Sequence, residues 1–267
     1  MVKLSVNLNK IALVRNSRTL GIPSVIKAAK TCIAAGAYGI TVHPRPDERH
    51  IRYSDVYKLK PIVSSVEFNI EGNPLEGRYM EIMPDIVPAQ ATLVPDVIGA
   101  VTSDAGWDLN KENIKKLEPI IKKLKKLGIR ISIFVDPVIE TVEKAKQIGA
   151  DRIELYTEPF ARAFSEYKAA QTGRDDEIAS SSAKGETPHN DISVVVAKYA
   201  AAAKKADEIG LGVNAGHDLN LDNLGFFCEN VRPVMEVSIG HALIADAIDM
   251  GLASAVKAYC KILEAKE

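Results

Sequence analysis

Gly36-Ala-Tyr-Gly-Ile-Thr-Val-His43 is the stretch that decides how this chain folds. A helical run closes on Gly36, a residue or two follow, and a short β-branched run ends on a polar side chain. Glycine supplies the left-handed residue that closes a helix, so a strand can begin at once. The phrase returns in Gly128-Ile-Arg-Ile-Ser-Ile-Phe-Val-Asp136, Gly149-Ala-Asp-Arg-Ile-Glu-Leu-Tyr156 and Gly210-Leu-Gly-Val-Asn-Ala-Gly-His217. Strands that alternate with helices imply parallel pairing through right-handed crossovers.

Outward from these repeats, strands are expected at Leu4–Leu8, Gly39–Val42, Glu67–Ile70, Ala91–Val94, Arg130–Val135, Arg152–Leu155, Gly212–Asn214 and Val234–Ile239. Helices are expected at Pro23–Ala35, Ser54–Ser65, Pro74–Val87, Asn110–Leu127, Pro137–Ile148, Asp191–Ile209, Leu221–Glu229 and Ala242–Ala265. Eight βα units predict an α/β fold, a (β/α)8 or TIM barrel of eight parallel strands, as a single domain over residues 1–267. The first βα turn carries no Gly-x-Gly-x-x-Gly, which argues against an open dinucleotide-binding sheet. Two segments stand outside the repeat. Gln171–Asn190 is polar and reads as a mobile loop, and Val97–Trp107 reads as a lid after the fourth strand.

Composition narrows the function classes. The chain has 267 residues, 46% hydrophobic and 26% charged, with a formal net charge of −1. That suits one large core and gives no global field towards nucleic acid or an anionic membrane. The lysines of 111–126 alternate with Leu and Ile at helical spacing, so they read as the wet face of an amphipathic helix. Cys32, Cys228 and Cys260 are widely spaced without a Cys-x-x-Cys pair, suggesting neither disulfides nor a zinc site. No apolar run approaches the roughly 20 residues of a membrane span, and Met1-Val-Lys-Leu-Ser-Val leads straight into a strand, so a cytoplasmic protein is expected.

In a barrel the working face is built from strand C-termini and the loops after them. His43, His50, His217 and His241 fall at or soon after such ends, with Glu71 after the third strand and Glu154 in the sixth. Asn7, Asn9 and Asn214 add amides there, and Arg18, Arg45 and Arg49 lie in the first two βα loops. Taken singly, each histidine is as readily a structural hydrogen bonder, and Glu154 could pair with a cation inside the barrel. Gathered at one rim they point to acid–base chemistry. The turn Ile239-Gly240-His241 runs into a helix, whose free N–H groups and dipole favour a phosphate, and Arg18 with Arg45 offers a second anion clamp. Two anion sites around one pocket suggest two phosphorylated substrates as partners. No carboxylate stands at a ligand-like spacing from His43 or His50, so no metal is expected.

The motifs Val6-Asn-Leu-Asn-Lys-Ile-Ala12, Arg15-Asn-Ser-Arg18, Gly39-Ile-Thr-Val-His-Pro-Arg-Pro-Asp-Glu-Arg-His-Ile51, Asn69-Ile-Glu71, Leu93-Val-Pro95, Ile153-Glu-Leu-Tyr-Thr157, Val213-Asn-Ala-Gly-His217 and Ile239-Gly-His-Ala242 run in order along nearly the whole chain. Together they resemble the pyridoxine 5′-phosphate synthase family. The resemblance implies condensation of 1-deoxy-D-xylulose 5-phosphate with 3-amino-2-oxopropyl phosphate, no cofactor, and a homo-octamer. It implies that His43 and Glu71 accept protons, His217 donates one and Glu154 stabilises a transition state. Arg45, His50 and Thr102 would hold the deoxyxylulose phosphate, beside Asn9 and Lys10. Asn7, Arg18, Gly240 and His241 would hold the aminoketone phosphate. The chain departs from the commonest pattern at Asn9-Lys10, at Thr19-Leu20-Gly21, and at Asp218, which places a carboxylate near a phosphate. Two rivals remain: a Schiff-base aldolase of the same fold using Lys10, and a phosphate-ligand binder without turnover.

Overall fold

The four glycine phrases do locally what their chemistry requires. In the computed structural model, which describes residues 1–96, 105–172 and 192–264, Gly36, Gly128, Gly149 and Gly210 all have positive φ, between 70° and 107°. Each forms the paired C-terminal bonds of a helix stop: after Gly128, for example, Ile129 N–H donates to Leu124 O and Gly128 N–H to Lys125 O. Each delivers the chain to a barrel strand two or three residues later.

The strands are β1 (Lys3–Asn7), β2 (Gly39–Val42), β3 (Glu67–Gly72), β4 (Gln90–Leu93), β5 (Arg130–Val135), β6 (Arg152–Leu155), β7 (Gly212–His217) and β8 (Glu236–Ile239). They pair in parallel and in sequence order, and β8 closes on β1 with Ser5 opposite Ser238. This is the expected (β/α)8 barrel, with strand bounds within a few residues of those read from the sequence.

The helices depart more. Two were not foreseen: α1 (Asn9–Asn16) directly after β1, and α7 (Glu158–Thr172) after β6. Between them lie α2 (Val25–Ala34), α3 (Tyr53–Leu59), α4 (Tyr79–Ile86), α5 (Lys111–Lys126) and α6 (Ile139–Gln147). After them come α8 (Ile192–Glu208), α9 (Leu224–Asn230), α10 (His241–Met250) and α11 (Leu252–Glu264). The single terminal helix expected over Ala242–Ala265 is broken at Gly251, whose φ of 83° no right-handed helix accommodates. Of the expected loop Gln171–Asn190, Gln171 and Thr172 finish α7, and residues 173–190 lie outside the described residues.

Period-two alternation sorts the barrel wall. Leu4, Val6, Ile40, Val42, Ile70, Ile131, Ile133, Val213 and Val237 are buried against the helices and build the main core. Their alternate neighbours fill the barrel with polar groups instead of the usual aliphatic layers. Ser5 and Thr41 hydroxyls share a 2.7 Å hydrogen bond, Asn69 bridges Thr41 and Thr92, and Gln90 reaches Thr92. Near the strand N-termini Arg152 donates to Glu236 (3.0 Å) and Asn214 (3.2 Å), and Arg130 pairs with Glu67. The floor is thereby cross-linked, while the carboxyls nearer the strand C-termini are left without a cation of this kind.

Candidate active site

At the C-terminal mouth a cavity of about 340 Å³ is lined by Asn7, Asn9, Lys10, His43, Arg45, His50, Glu71, His217, Asp218, Gly240 and His241, together with Tyr156, Glu158 and Ser238. The structure thus gathers most of the residues expected from the sequence. Arg18 is not among the lining; it lies exposed beyond α1. Thr102 lies outside the described residues, as does most of the expected lid Val97–Trp107. The far end of that segment is anchored, because Trp107 N–H donates to Phe134 O and its indole N–H to Leu93 O.

Short polar links hold the site together. Asn7 ends β1 and donates from Nδ2 to Glu71 Oε2 (3.2 Å), while its Oδ1 accepts from Asn9 N–H (2.9 Å). Asn9 Oδ1 accepts from His43 N–H (2.9 Å), so Asn9 fastens the start of α1 to the end of β2. The far end of α1 fastens the loop beyond. Asn16 Nδ2 donates to the carbonyls of Glu48, Arg49 and His50. Arg15 reaches His50 O and Asp55. The loop fold in turn makes Ile51 N–H donate to His50 Nδ1 (2.9 Å), which fixes that ring with Nδ1 as acceptor.

Burial sets the protonation states. Glu71 is 1% exposed, and desolvation together with the Asp96 carboxylate pushes its pKa up to about 8 against the opposing pull of Asn7 and Arg45. Its Oε2 stands 3.8 Å from His43 Nδ1, and its Oε1 is buried without a hydrogen bond from any described residue. His43 is held well below the usual imidazole range by burial and then by Arg45. His50 is pulled down to about 4 by burial and the neighbouring cations. Both are neutral at pH 7.

On the opposite wall His217 Nδ1 lies 3.7 Å from Glu154 Oε1, and Phe134 packs its ring 5.0 Å from the imidazole. Among the described residues neither Glu154 oxygen makes a well-formed hydrogen bond, and the Thr92 side chain gives it only a weak downward pull. Burial, then the nearby Glu71 and Glu236, holds its carboxyl well above the usual range. The inner arginine that could have paired with it, Arg152, is committed to Glu236. Burial likewise pulls His217 down to about 4, so a neutral imidazole stands beside a carboxyl whose surroundings favour its protonated form. His217 has φ of 62°, a left-handed conformation that costs a non-glycine residue free energy and is characteristic of functional positions. Gly216 before it is forced, because a Cβ there would sit 2.3 Å from Ser238 O.

Gly240 caps α10, and a Cβ on it would stand 3.1 Å from Asn7 Cβ, so the helix N-terminus meets β1 over bare backbone. Gly240 and His241 both line the cavity, so the first turn of α10, whose N–H groups have no acceptor within the helix, begins there. Lys10, half-buried at the start of α1, and Asp218 line the same cavity, and burial beside Glu158 raises Asp218 to about 6 against the pull of Lys10. Among the described residues no group of three or more His, Cys, Asp or Glu side chains is placed to hold a metal ion, and no helix is long and apolar enough to cross a membrane.

Sequence reading missed Asp96, which pairs with Arg45 and stands 3.8 Å from His43 Nδ1, and also Phe134, Tyr156 and Glu158. For Phe134 a signal existed. The alternation Arg130, Ser132, Phe134 on β5 points all three into the barrel. Asp96 follows a proline outside any strand, with nothing local to mark it.

The family model for the pyridoxal phosphate biosynthesis protein PdxJ matches residues 4–265. The chain belongs to the PdxJ family. It is 49% identical to the pyridoxine 5′-phosphate synthase of Christiangramia forsetii over 264 residues, 99% of this chain and 100% of that protein. It is 48% identical to the enzyme of the same name from Flavobacterium johnsoniae over an equal span, again 99% and 100%. Among solved structures, phosphoribosyl anthranilate isomerase from Thermotoga maritima superposes with a TM-score of 0.57 at 14% identity, covering 99% of this chain and all of that one. The 3-keto-L-gulonate-6-phosphate decarboxylase of Vibrio cholerae gives 0.57 at 9% identity over 100% and 99%. These two likenesses speak for the barrel alone. Membership makes this chain an enzyme of pyridoxine phosphate, that is vitamin B6, biosynthesis.

Proposed function

We propose that the enzyme condenses 1-deoxy-D-xylulose 5-phosphate with 3-amino-2-oxopropyl phosphate to give pyridoxine 5′-phosphate, phosphate and water, by acid–base catalysis without an added cofactor. The carrying observation is Glu71: a carboxyl with a pKa of about 8, 3.8 Å from a neutral His43, in a cavity that also holds Arg45 and an open helix N-terminus. The amine adds to a ketone, water leaves, and successive proton transfers carry the adduct to an aromatic ring. Such a sequence needs groups that exchange protons near neutral pH.

In this reading His43 and Glu71 accept protons. His217 donates, replenished by the proton that the buried Glu154 retains 3.7 Å away, and Glu154 balances the charge that develops. Arg45, His50 and Thr102, with Asn9 and Lys10, take the deoxyxylulose phosphate. Asn7, Gly240 and His241 take the aminoketone phosphate, with Asp218 beside them. Arg18 reaches that phosphate only if α1 or a second subunit moves it there. Residues 1–267 act as one domain, cytoplasmic and assembled as a homo-octamer. The exposed apolar side chains Leu20 (75%), Ile22 (64%) and Ile248 (83%), on and beside the packed pair α1 and α10, favour assembly; sedimentation velocity reads it.

The deciding experiment incubates the purified protein with both phosphates and no cofactor, and follows pyridoxine 5′-phosphate. Product from wild type, with none from Glu71→Gln or His217→Asn, is expected. Tight binding of both phosphates with no product overturns the reading in favour of a binder. Borohydride trapping of an adduct on Lys10 overturns it in favour of the aldolase.

A further inference from the structure

Arg45 lines the cavity, yet its guanidinium is not waiting free for a phosphate: Nη2 donates to Asp96 Oδ2, and both side chains are almost wholly buried. Asp96 itself does not line the substrate cavity. It lies three residues past the end of β4, with its backbone carbonyl tied down by Asn73 Nδ2 (3.0 Å), and faces the crevice behind Arg45. The same Oδ2 stands 3.8 Å from His43 Nδ1. One carboxylate therefore touches the anion-binding cation on one side and the acid–base pair on the other.

Two physical consequences follow. A buried guanidinium without a counter-charge is costly, and Asp96 makes its burial tolerable. Because the guanidinium is a rigid planar fork of five donors, fixing one edge on Asp96 also fixes where the remaining donors point. The second consequence is electrostatic. Among the described residues the groups facing Glu71 are Asn7 from β1, His43 and Arg45 just after β2, Tyr79 from α4, Asp96 after β4 and Glu154 from β6. Arg49 also faces Asp96, and His217 faces His43. Within this set Asp96 is the carboxylate that offsets Arg45.

Resting on the active-site reading above, we propose that Asp96 is a positioning residue of the condensation, orienting Arg45 for the substrate phosphate and holding the charge balance around Glu71 and His43. Removing its charge leaves Arg45 uncompensated, and both changes act in one direction, favouring ionised Glu71.

The test is Asp96→Asn, with kcat/KM followed from pH 5.5 to 9.5 beside wild type. The rising limb, which reports ionisation of Glu71, is expected to move towards acid by about half a pH unit or more, since a like charge has been removed. KM for the deoxyxylulose phosphate is expected to rise by about fivefold or more, from loss of a fixed guanidinium. Asp96→Glu, which keeps the charge, should leave the limb in place. Loss of activity at every pH with an unmoved limb would show a merely structural role and overturn the proposal. Should Asp96→Asn aggregate, Asp96→Ser makes the same charge change, draws its oxygen back from Arg45 and meets the same two outcomes. If wild type itself makes no product, the function fails separately. Inorganic phosphate binding then reads Asp96 directly: weaker binding by the charge-removing variant upholds the positioning role, and unchanged binding refutes it.

Discussion

Replacing Glu71 by Gln should abolish the reaction and yet stabilise the fold, increasingly so as pH rises. The carboxyl is 1% exposed and its pKa is lifted from 4.5 to about 8. The sign follows from linkage. Below pH 4.5 the group is protonated folded and unfolded, and contributes nothing. Between that value and about 8 the unfolded chain ionises and the folded one does not, so stability drains away at about 1.36 kcal/mol per pH unit. Above about 8 both forms ionise and the loss levels off near its full extent of about 5 kcal/mol. Gln has the same shape, still meets Asn7, and does not titrate. Urea melts of both proteins from pH 4.5 to 9, followed through the lone tryptophan, Trp107, report the difference. The advantage of Glu71→Gln over wild type should widen by several kcal/mol between pH 5 and 8 and then hold steady. A gap that stays constant with pH would refute the burial argument for Glu71, and with it the claim that this carboxyl is tuned for proton exchange near neutrality.

Three further outcomes follow from the same geometry. His217→Gly should be more stable than wild type by about 1 kcal/mol, because glycine accepts a φ of 62° without strain, while product formation is lost; thermal melts beside the activity assay check it. Arg152→Met should destabilise the barrel by about 3–5 kcal/mol, as it leaves Glu236 buried without its 3.0 Å partner, and Arg152→Met with Glu236→Leu should recover much of that in urea melts. Gly240→Ala should raise KM for the aminoketone phosphate with little change in melting temperature, since the new methyl stands 3.1 Å from Asn7 Cβ where helix α10 meets the cavity; steady-state kinetics at varied aminoketone phosphate read it.

What the sequence determined by itself is what local chemistry controls. A glycine that must turn left-handed closes a helix and starts a strand, so four repeats of one phrase announced a parallel βα fold, and all four glycines adopt that conformation. Strand ends carry the working face of a barrel, so His43, Glu71, His217 and Gly240 were legible as candidates once strands were placed. Helix α1 was not, because Asn9–Asn16 is weakly amphipathic and held mainly by tertiary bonds to the β2–α3 loop. Nor was α7 legible, as its N-terminus follows β6 within two residues where a loop is the ordinary expectation. The chemistry of the site belongs wholly to the tertiary structure. The strand pattern marks the position of Glu71, but not its raised pKa of about 8, which burial and Asp96 impose. Desolvation and charge proximity depend on residues far apart in the chain, such as Asp96 beside Arg45 and Glu154 beside His217, and closing the barrel is what brings them together.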